Sequence, residues 1–249
     1  MMKKPMRRLL AMAALVLPLT AWAQQTEAQN READSLKLVQ MDRKYADLWT
    51  EEQHAQARSA DTLAMLTKVE KDIFYYLNLV RTNPKAFGES YAKEFDGDEG
   101  WEKAYAFDER KDSLLRQLAR MAPLPVMKPK KYLIESAECL ATHSGEQGTF
   151  GHDRERVGCP PNTGLGECCD YGGCYTGLGI VMHLLIDGGK GNELLAHRRI
   201  CLEETYTWLG VAVRPHKKLK NVAVLDFSSI PVRFDPSYPF YPEPGQEDE

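Results

Sequence analysis

Apolar and polar positions divide the chain into four parts: an early apolar run, a polar stretch, a patterned middle and a proline-rich end. Leu9 to about Thr20 is apolar, whereas residues 24 to about 60 are polar and charge-mixed. That second segment suits an exposed helix or a partly disordered leader outside any core. From Thr67 the pattern turns helical. Ile73, Leu77 and Val80 recur at helical spacing, with Phe74 and Tyr76 beside them. Asn83-Pro84 ends that helix, because proline disfavours helical geometry in the residue before it. Gly97 and Gly100 mark a loop, and a charged amphipathic stretch follows from Trp101 to Met121. The prolines between Met121 and Pro129 require extended chain.

A second helix is predicted over Tyr132 to Gln147, with Leu133, Ala137 and Leu140 along one face. Residues 148–179, rich in Gly and Cys, read as a long loop held by cross-links. A third helix covers about Gly179 to Ile186, and a fourth opens near Asn192, a favoured N-cap residue. Thr207 to Val213 and Asn221 to Phe227 read as strands, joined into a hairpin by the basic turn Arg214 to Lys220. Helices followed by strands, without βαβ alternation, predict an α+β fold. Residues 67–230 make one domain, preceded by the 24–66 leader and followed by an acidic, proline-rich tail over 231–249.

Charge adds an address. Lys3, Lys4, Arg7 and Arg8 precede the first apolar run, and Ala21-Trp22-Ala23 supplies small residues at the cleavage positions. That is the pattern of a secretory signal peptide, residues 1–23, cut before Gln24. The run is short for a membrane span, which needs roughly 20 apolar residues. The expected product is exported, periplasmic or secreted, with no transmembrane segment in the mature chain. It carries 28 basic and 36 acidic residues, a net charge of −8, which argues against nucleic acid as a partner. The six cysteines, Cys139, Cys159, Cys168, Cys169, Cys174 and Cys201, are an even set in an exported chain. They read as disulfide candidates, up to three bridges with the pairing open. Cys168-Cys169 with Cys174 lacks the spacing of a structural zinc site.

Four residues in the second half could carry chemistry: His152, Glu167, Asp187 and His197. Histidine and carboxylate are the pair that binds a divalent ion or moves protons near neutral pH. Glu167 and Asp187 adjoin glycines, which places them on loops or helix ends. His143 and His183 read as satisfied, half-buried histidines, and Arg198 as a residue that packs or pairs with a carboxylate. Cys139 near His143 has the composition of a thiol protease pair, but pairing into a disulfide is the expected fate of that thiol. Tyr75-Tyr76 reads as core or cleft wall.

Several motifs, in order, resemble the CAP superfamily (SCP-type domains of cysteine-rich secretory proteins, antigen 5 and pathogenesis-related 1). Leu77 to Pro84, with Asn78 and Arg81, is similar to its opening helix, and Thr142-His143-Ser144 followed by Phe150-Gly151-His152 to its second helix and turn. Gly166-Glu167-Cys168 resembles its G-E-N motif, with Cys168 in place of Asn. Leu184 to Gly189 and Ala196-His197-Arg198-Arg199-Ile200 resemble its L-I-D-D-G and G-H-R-x-N-I segments, and Leu209-Gly210-Val211-Ala212 its following strand. The departures include Ala196 for Gly and an aspartate, Asp187, where a longer glutamate is common.

The resemblance implies a three-layer α-β-α sandwich with a central, mostly antiparallel sheet. It implies a cleft tetrad of His152, Glu167, Asp187 and His197, with a divalent metal, often zinc, on His152 and His197. The expected function is a binding module for a protein partner or an apolar small-molecule ligand, and more a binder than an enzyme, since no nucleophile, base and oxyanion donor are recognisable together. The alternatives are a metal-dependent hydrolase with His152 and His197 as ligands and Glu167 as base, and a disulfide-stabilised envelope structural protein. The catalytic residues are unknown.

Overall fold

The computed structural model describes residues 19–97, 106–162, 165–172, 176–189, 191 and 193–229. The first residues of the expected signal peptide, Gly100, Trp101, Cys174, Asn192 and the tail over 231–249 lie outside them. Among the described residues the chain is α+β, with helices packed against a four-stranded mixed sheet.

Helix α1 (Leu19–Tyr45) opens the described chain and α2 (Glu51–Ala57) follows. Helix α3 (Lys68–Thr82) starts where the sequence pattern predicts, because Thr67 and Glu70 form a reciprocal capping box. Its end is held by Asn83, whose side chain caps α4 (Pro84–Phe87). Helix α5 (Phe107–Leu118) occupies part of the charged amphipathic stretch. The extended segment after it reaches strand β1 (Lys128–Pro129), and α6 (Lys131–Gln147) matches the predicted second helix. Then come α7 (Arg154–Val157), β2 (Gly166–Gly172), α8 (Gly177–Ile186), α9 (Ala196–Cys201), β3 (Trp208–Pro215) and β4 (Asn221–Ser228).

The sheet order is β1-β3-β4-β2. β3 and β4 form the predicted antiparallel hairpin, β2 pairs antiparallel with β4, and β1 lies parallel to β3. Alternate strand residues enter two buried clusters, as the period of two in a strand requires. Leu209, Val211, Leu225 and Phe227 join a large core with α3 and α8, while Ala212, Val222 and Val224 meet Ala137, Leu140 and Ala141 of α6. Beyond β1 the open edge of β3 is covered by Glu70, whose carboxylate accepts from Val213 N and the Arg214 guanidinium at 2.8 Å each. An edge amide satisfied in this way no longer invites another strand.

Asn78 and Arg81 of α3 act as buttons. Asn78 Oδ1 accepts from Met127 N at 2.7 Å and its amide donates to Met127 O at 3.0 Å. Arg81 is fully buried and donates to the carbonyls of Pro125, Cys201, Glu203 and Tyr206 at 2.8–3.0 Å. Both side chains fasten proline-rich or irregular chain that has no ladder of its own. Tyr76 is core, as expected, and donates to Asp42.

Two expectations fail. Residues 38–60 are not an exposed leader, because Leu38, Met41, Trp49, Ala57 and Ala60 are buried in the large core. Their apolar positions are too sparse for a periodic signal, and burial comes from the partner helices. Residues 166–172 are not loop: β2 is a full edge strand in register with Gly166↔Phe227 through Gly172↔Asn221. Its Gly-Glu-Cys-Cys-Asp-Tyr-Gly sequence has little strand propensity, so the partner β4 imposes the geometry.

Gly210 explains the close fit of α6 on the sheet. A methyl group there would overlap the backbone of Leu133 and Ile134. Gly210→Ala is therefore expected to push α6 off β3 and lower stability by about 3 kcal/mol or more, read as the urea midpoint of the purified protein. A wild-type midpoint in the variant would mean that α6 does not lie this close.

Candidate functional site

Two histidine–carboxylate pairs stand at the edge of the sheet where β2, α8 and α9 meet. In the first, His152 Nδ1 lies 2.6 Å from Glu167 Oε1. Glu167 projects from β2, directly across from Asp226 of β4 in the ladder. Between them is Arg154, buried, whose Nε donates to Glu167 Oε2 at 2.6 Å and whose Nη2 reaches both oxygens of Asp226 at 3.0 and 2.8 Å. Asn162 adds a bond to Asp226 Oδ1 at 3.1 Å.

In the second pair, His197 Nδ1 is 2.8 Å from Asp187 Oδ1, and His197 N donates to Asp187 Oδ2 at 3.0 Å. Asp187 ends α8 in the left-handed conformation (φ 57°), which turns its buried carboxylate back onto the first turn of α9. A non-glycine residue there is strained, and such strain persists where the surroundings over-determine it. They do so here, because Arg110 donates to the Asp187 carbonyl and Asp187 N bonds to His183 O at 2.8 Å.

His152 and His197 line one cavity of about 320 Å³, together with Asp187, Cys169, Asp170, Tyr171 and His183. Of the four expected site residues, this cavity brings together His152, Asp187 and His197 and leaves out Glu167. Glu167 stands behind His152 and lines a neighbouring open groove of about 1000 Å³, along with Arg154, Cys159, Pro160, Pro161 and Asn162. His152 borders both spaces. Each histidine meets its carboxylate through Nδ1.

The electrostatics separate the acids. Burial alone would raise the Glu167 carboxyl, but the His152 hydrogen bond and the Arg154 charge outweigh it and hold Glu167 below the ordinary range. Burial pushes Asp226 up to about 7 against the pull of Arg154. Glu167 thus carries the firmer negative charge. A carboxylate so held is a poor proton acceptor, which weighs against Glu167 as a general base and favours its orienting role. The Glu167 hydrogen bond, ahead of the opposing effect of burial, raises His152 above its ordinary 6.5.

Metal ligation by His152 and His197 finds limited support in the donor set. Among the described residues, two groups of three ligand atoms lie mutually within 4.8 Å, Cys139/His143/Cys159 and His152/Glu167/Cys169, and His197 belongs to neither. A catalytic zinc takes three protein ligands, so the histidine pair does not present a ready three-ligand set. The first group is consumed by the Cys139–Cys159 disulfide, against which His143 Nδ1 rests at 3.4 and 3.2 Å. That bond also removes Cys139 as a nucleophile. Of the other cysteines, Cys168, Cys169 and Cys201 are buried thiols in this structure rather than bridged, since none has a bonded sulfur partner among the described residues.

His183 is fully buried with Nδ1 3.4 Å from Asp170, a core histidine rather than a half-exposed one. Arg198 meets carbonyls of Leu185, Ile186 and Arg110 and the Ser113 hydroxyl, so its partners are backbone and hydroxyl oxygens instead of a carboxylate. Sequence reasoning missed Arg154, Asp226, Asn162 and Cys169. Asp226 left a trace: an acid inside the apolar strand Val222 to Phe227 has to be buried, and a buried acid has to be partnered.

No protein-family model, no curated protein and no solved structure matches the chain.

Arg154→Met is expected to destabilise the fold by about 3–5 kcal/mol, because Glu167 and Asp226 then face each other without the cation, and adding Asp226→Asn should restore part of the loss. Chemical denaturation of both variants checks this; equal losses would show that the cation is not what separates the acids. The His152–Glu167 pair also has a definite pH window. With the His152 value raised, its share of stability is full below the unfolded value near 6.5 and is lost as pH rises through the folded value. With the Glu167 value lowered, its share is present above the unfolded value near 4.5 and is lost as pH falls. An NMR titration should place the His152 midpoint above 6.5 and return it towards 6.5 in Glu167→Gln. A midpoint that ignores the substitution would contradict the pairing.

Proposed function

We propose that this chain is an exported CAP-superfamily protein whose His152/His197 cavity and adjoining groove bind an amphiphilic small molecule, without catalysing its conversion. The family reading is supported by the order of the motifs from Asn78 to Ala212 and by helices packing against the sheet through two separate buried clusters, the pattern of a three-layer α-β-α sandwich. The observation that carries the functional reading is the shared lining of one cavity by the two histidines.

The cavity offers imidazole nitrogens and acids, suited to a polar head. The groove reached through His152 has a mostly apolar lining with Pro160 and Pro161, suited to an apolar body. A hydrolase reading lacks a support here, because the Arg154 charge and the His152 hydrogen bond hold the Glu167 carboxyl below its ordinary range rather than poise it as a base. A purely structural envelope role leaves the cavity and its paired histidines without a purpose.

Organic extraction of protein recovered from the exported fraction, followed by mass spectrometry, is expected to release a bound amphiphile. The double variant His152→Ala/His197→Ala should bind a fluorescent fatty acid roughly tenfold or more weakly, the loss of about 1.4 kcal/mol, while keeping its fold. Clean protein that neither carries nor takes up an amphiphile would sink the proposal. Turnover of a peptide or ester substrate abolished by the same double variant would favour the hydrolase instead.

A further inference from the structure

The second group of converging ligand atoms shares His152 with the histidine pair, leaves out His197 and involves no disulfide among the described residues. His152 Nδ1 is 3.7 Å from Cys169 Sγ, Cys169 Sγ is 3.9 Å from Glu167 Oε1, and Nδ1 is 2.6 Å from Oε1. Tetrahedral zinc holds nitrogen and oxygen at about 2.0–2.2 Å and sulfur at about 2.3 Å, so its ligand atoms stand roughly 3.3–3.6 Å apart. The two sulfur separations are already close to that. The nitrogen–oxygen pair would have to open by less than about 1 Å.

The support behind these atoms is of the kind metal sites use. Glu167 and Cys169 are two apart on β2 and therefore share a face of a strand held in register with β4. The second oxygen of Glu167 is fixed by Arg154, an outer partner that keeps the carboxylate in place. His152 follows Gly151, whose amide donates to Tyr171 Oη at 2.9 Å. Thiolate and carboxylate together neutralise a divalent cation, while Arg154 stays balanced by Asp226. His152 and Cys169 also line the cavity, so a fourth coordination position could open towards it.

We propose that His152, Glu167 and Cys169 form a binding site for a thiophilic divalent ion, zinc foremost, in which Cys169 takes the place that the family resemblance gives to His197. On binding, the Cys169 thiol proton leaves to solvent and the sulfur enters as thiolate. His152 ligates through Nδ1 with its proton on Nε2, and a second proton leaves when the ring starts as imidazolium. No electron is transferred. The inference does not depend on amphiphile binding, since it needs the Cys169 thiol and not His197.

The test is a Co²⁺ titration of the full mature chain, purified without a histidine tag, followed by displacement with Zn²⁺. One equivalent of Co²⁺ is expected to give a thiolate-to-cobalt charge-transfer band with tetrahedral visible absorption. Cys169→Ser should abolish the charge-transfer band, and His152→Ala should weaken Co²⁺ binding by roughly tenfold or more. His197→Ala and the control Cys168→Ser should leave both unchanged. The site is overturned if the band survives in Cys169→Ser, if Co²⁺ binding is lost in His197→Ala with no thiolate band in the wild type, or if a non-reduced peptide map finds Cys169 in a disulfide. Amphiphile uptake measured on the same Cys169→Ser protein separates failure of the ion site from failure of the cavity reading.

Discussion

One buried guanidinium holds the site together. Arg154 lies between two acids that the β2–β4 ladder forces to face each other, Glu167 and Asp226. Two carboxylates across a strand pair repel, and a buried one without a partner is costly. With Arg154 in place a cation stands between the two acids, and the fit is geometric as well as electrostatic, since a planar guanidinium can serve two carboxylates at once. The consequence reaches the surface. Glu167 is left with one oxygen free to orient His152.

The two histidines are anchored by different means. His197 is fixed by backbone: the left-handed Asp187 turns its carboxylate onto both the ring and the amide of His197, and buried Arg110 and Arg198 tie down the carbonyls around that turn. His152 is fixed by side chains, through Glu167 and, behind it, Arg154. Its side chain is 55% exposed against 20% for His197. The cavity therefore has one wall held by backbone and one whose histidine stands further into solvent.

Much of this was legible in the residues, and the losses have physical causes. Helices α3 and α6 and the β3–β4 hairpin follow from local signals: the Thr67–Glu70 capping box, the Asn83-Pro84 stop, apolar periodicity, and strands rich in valine. Strand β2 was not legible, because glycine, paired cysteines and acids carry no strand preference and β4 supplies the order. The segment around Trp49 was read as outside the core because its contacts are long-range: the indole N–H donates to Leu79 O across 30 residues. For the site, the histidines and their acids could be listed from motif order, but the roles could not. That Glu167 orients rather than accepts protons depends on Arg154, and nothing in the spacing of residues 152 to 154 announces that a buried arginine will stand under His152.

The Asp226 carboxyl decides how far the site can respond to pH. It is fully buried, and burial pushes it up to about 7, whereas Glu167 is held below the ordinary carboxylate range. When Asp226 is protonated, Arg154 has Glu167 as its one charged partner and should pull that carboxylate more strongly. Glu167 then has less to give His152. The buried acid of β4 is therefore coupled to the histidine at the cavity mouth, through Arg154 and through its own interaction with Glu167.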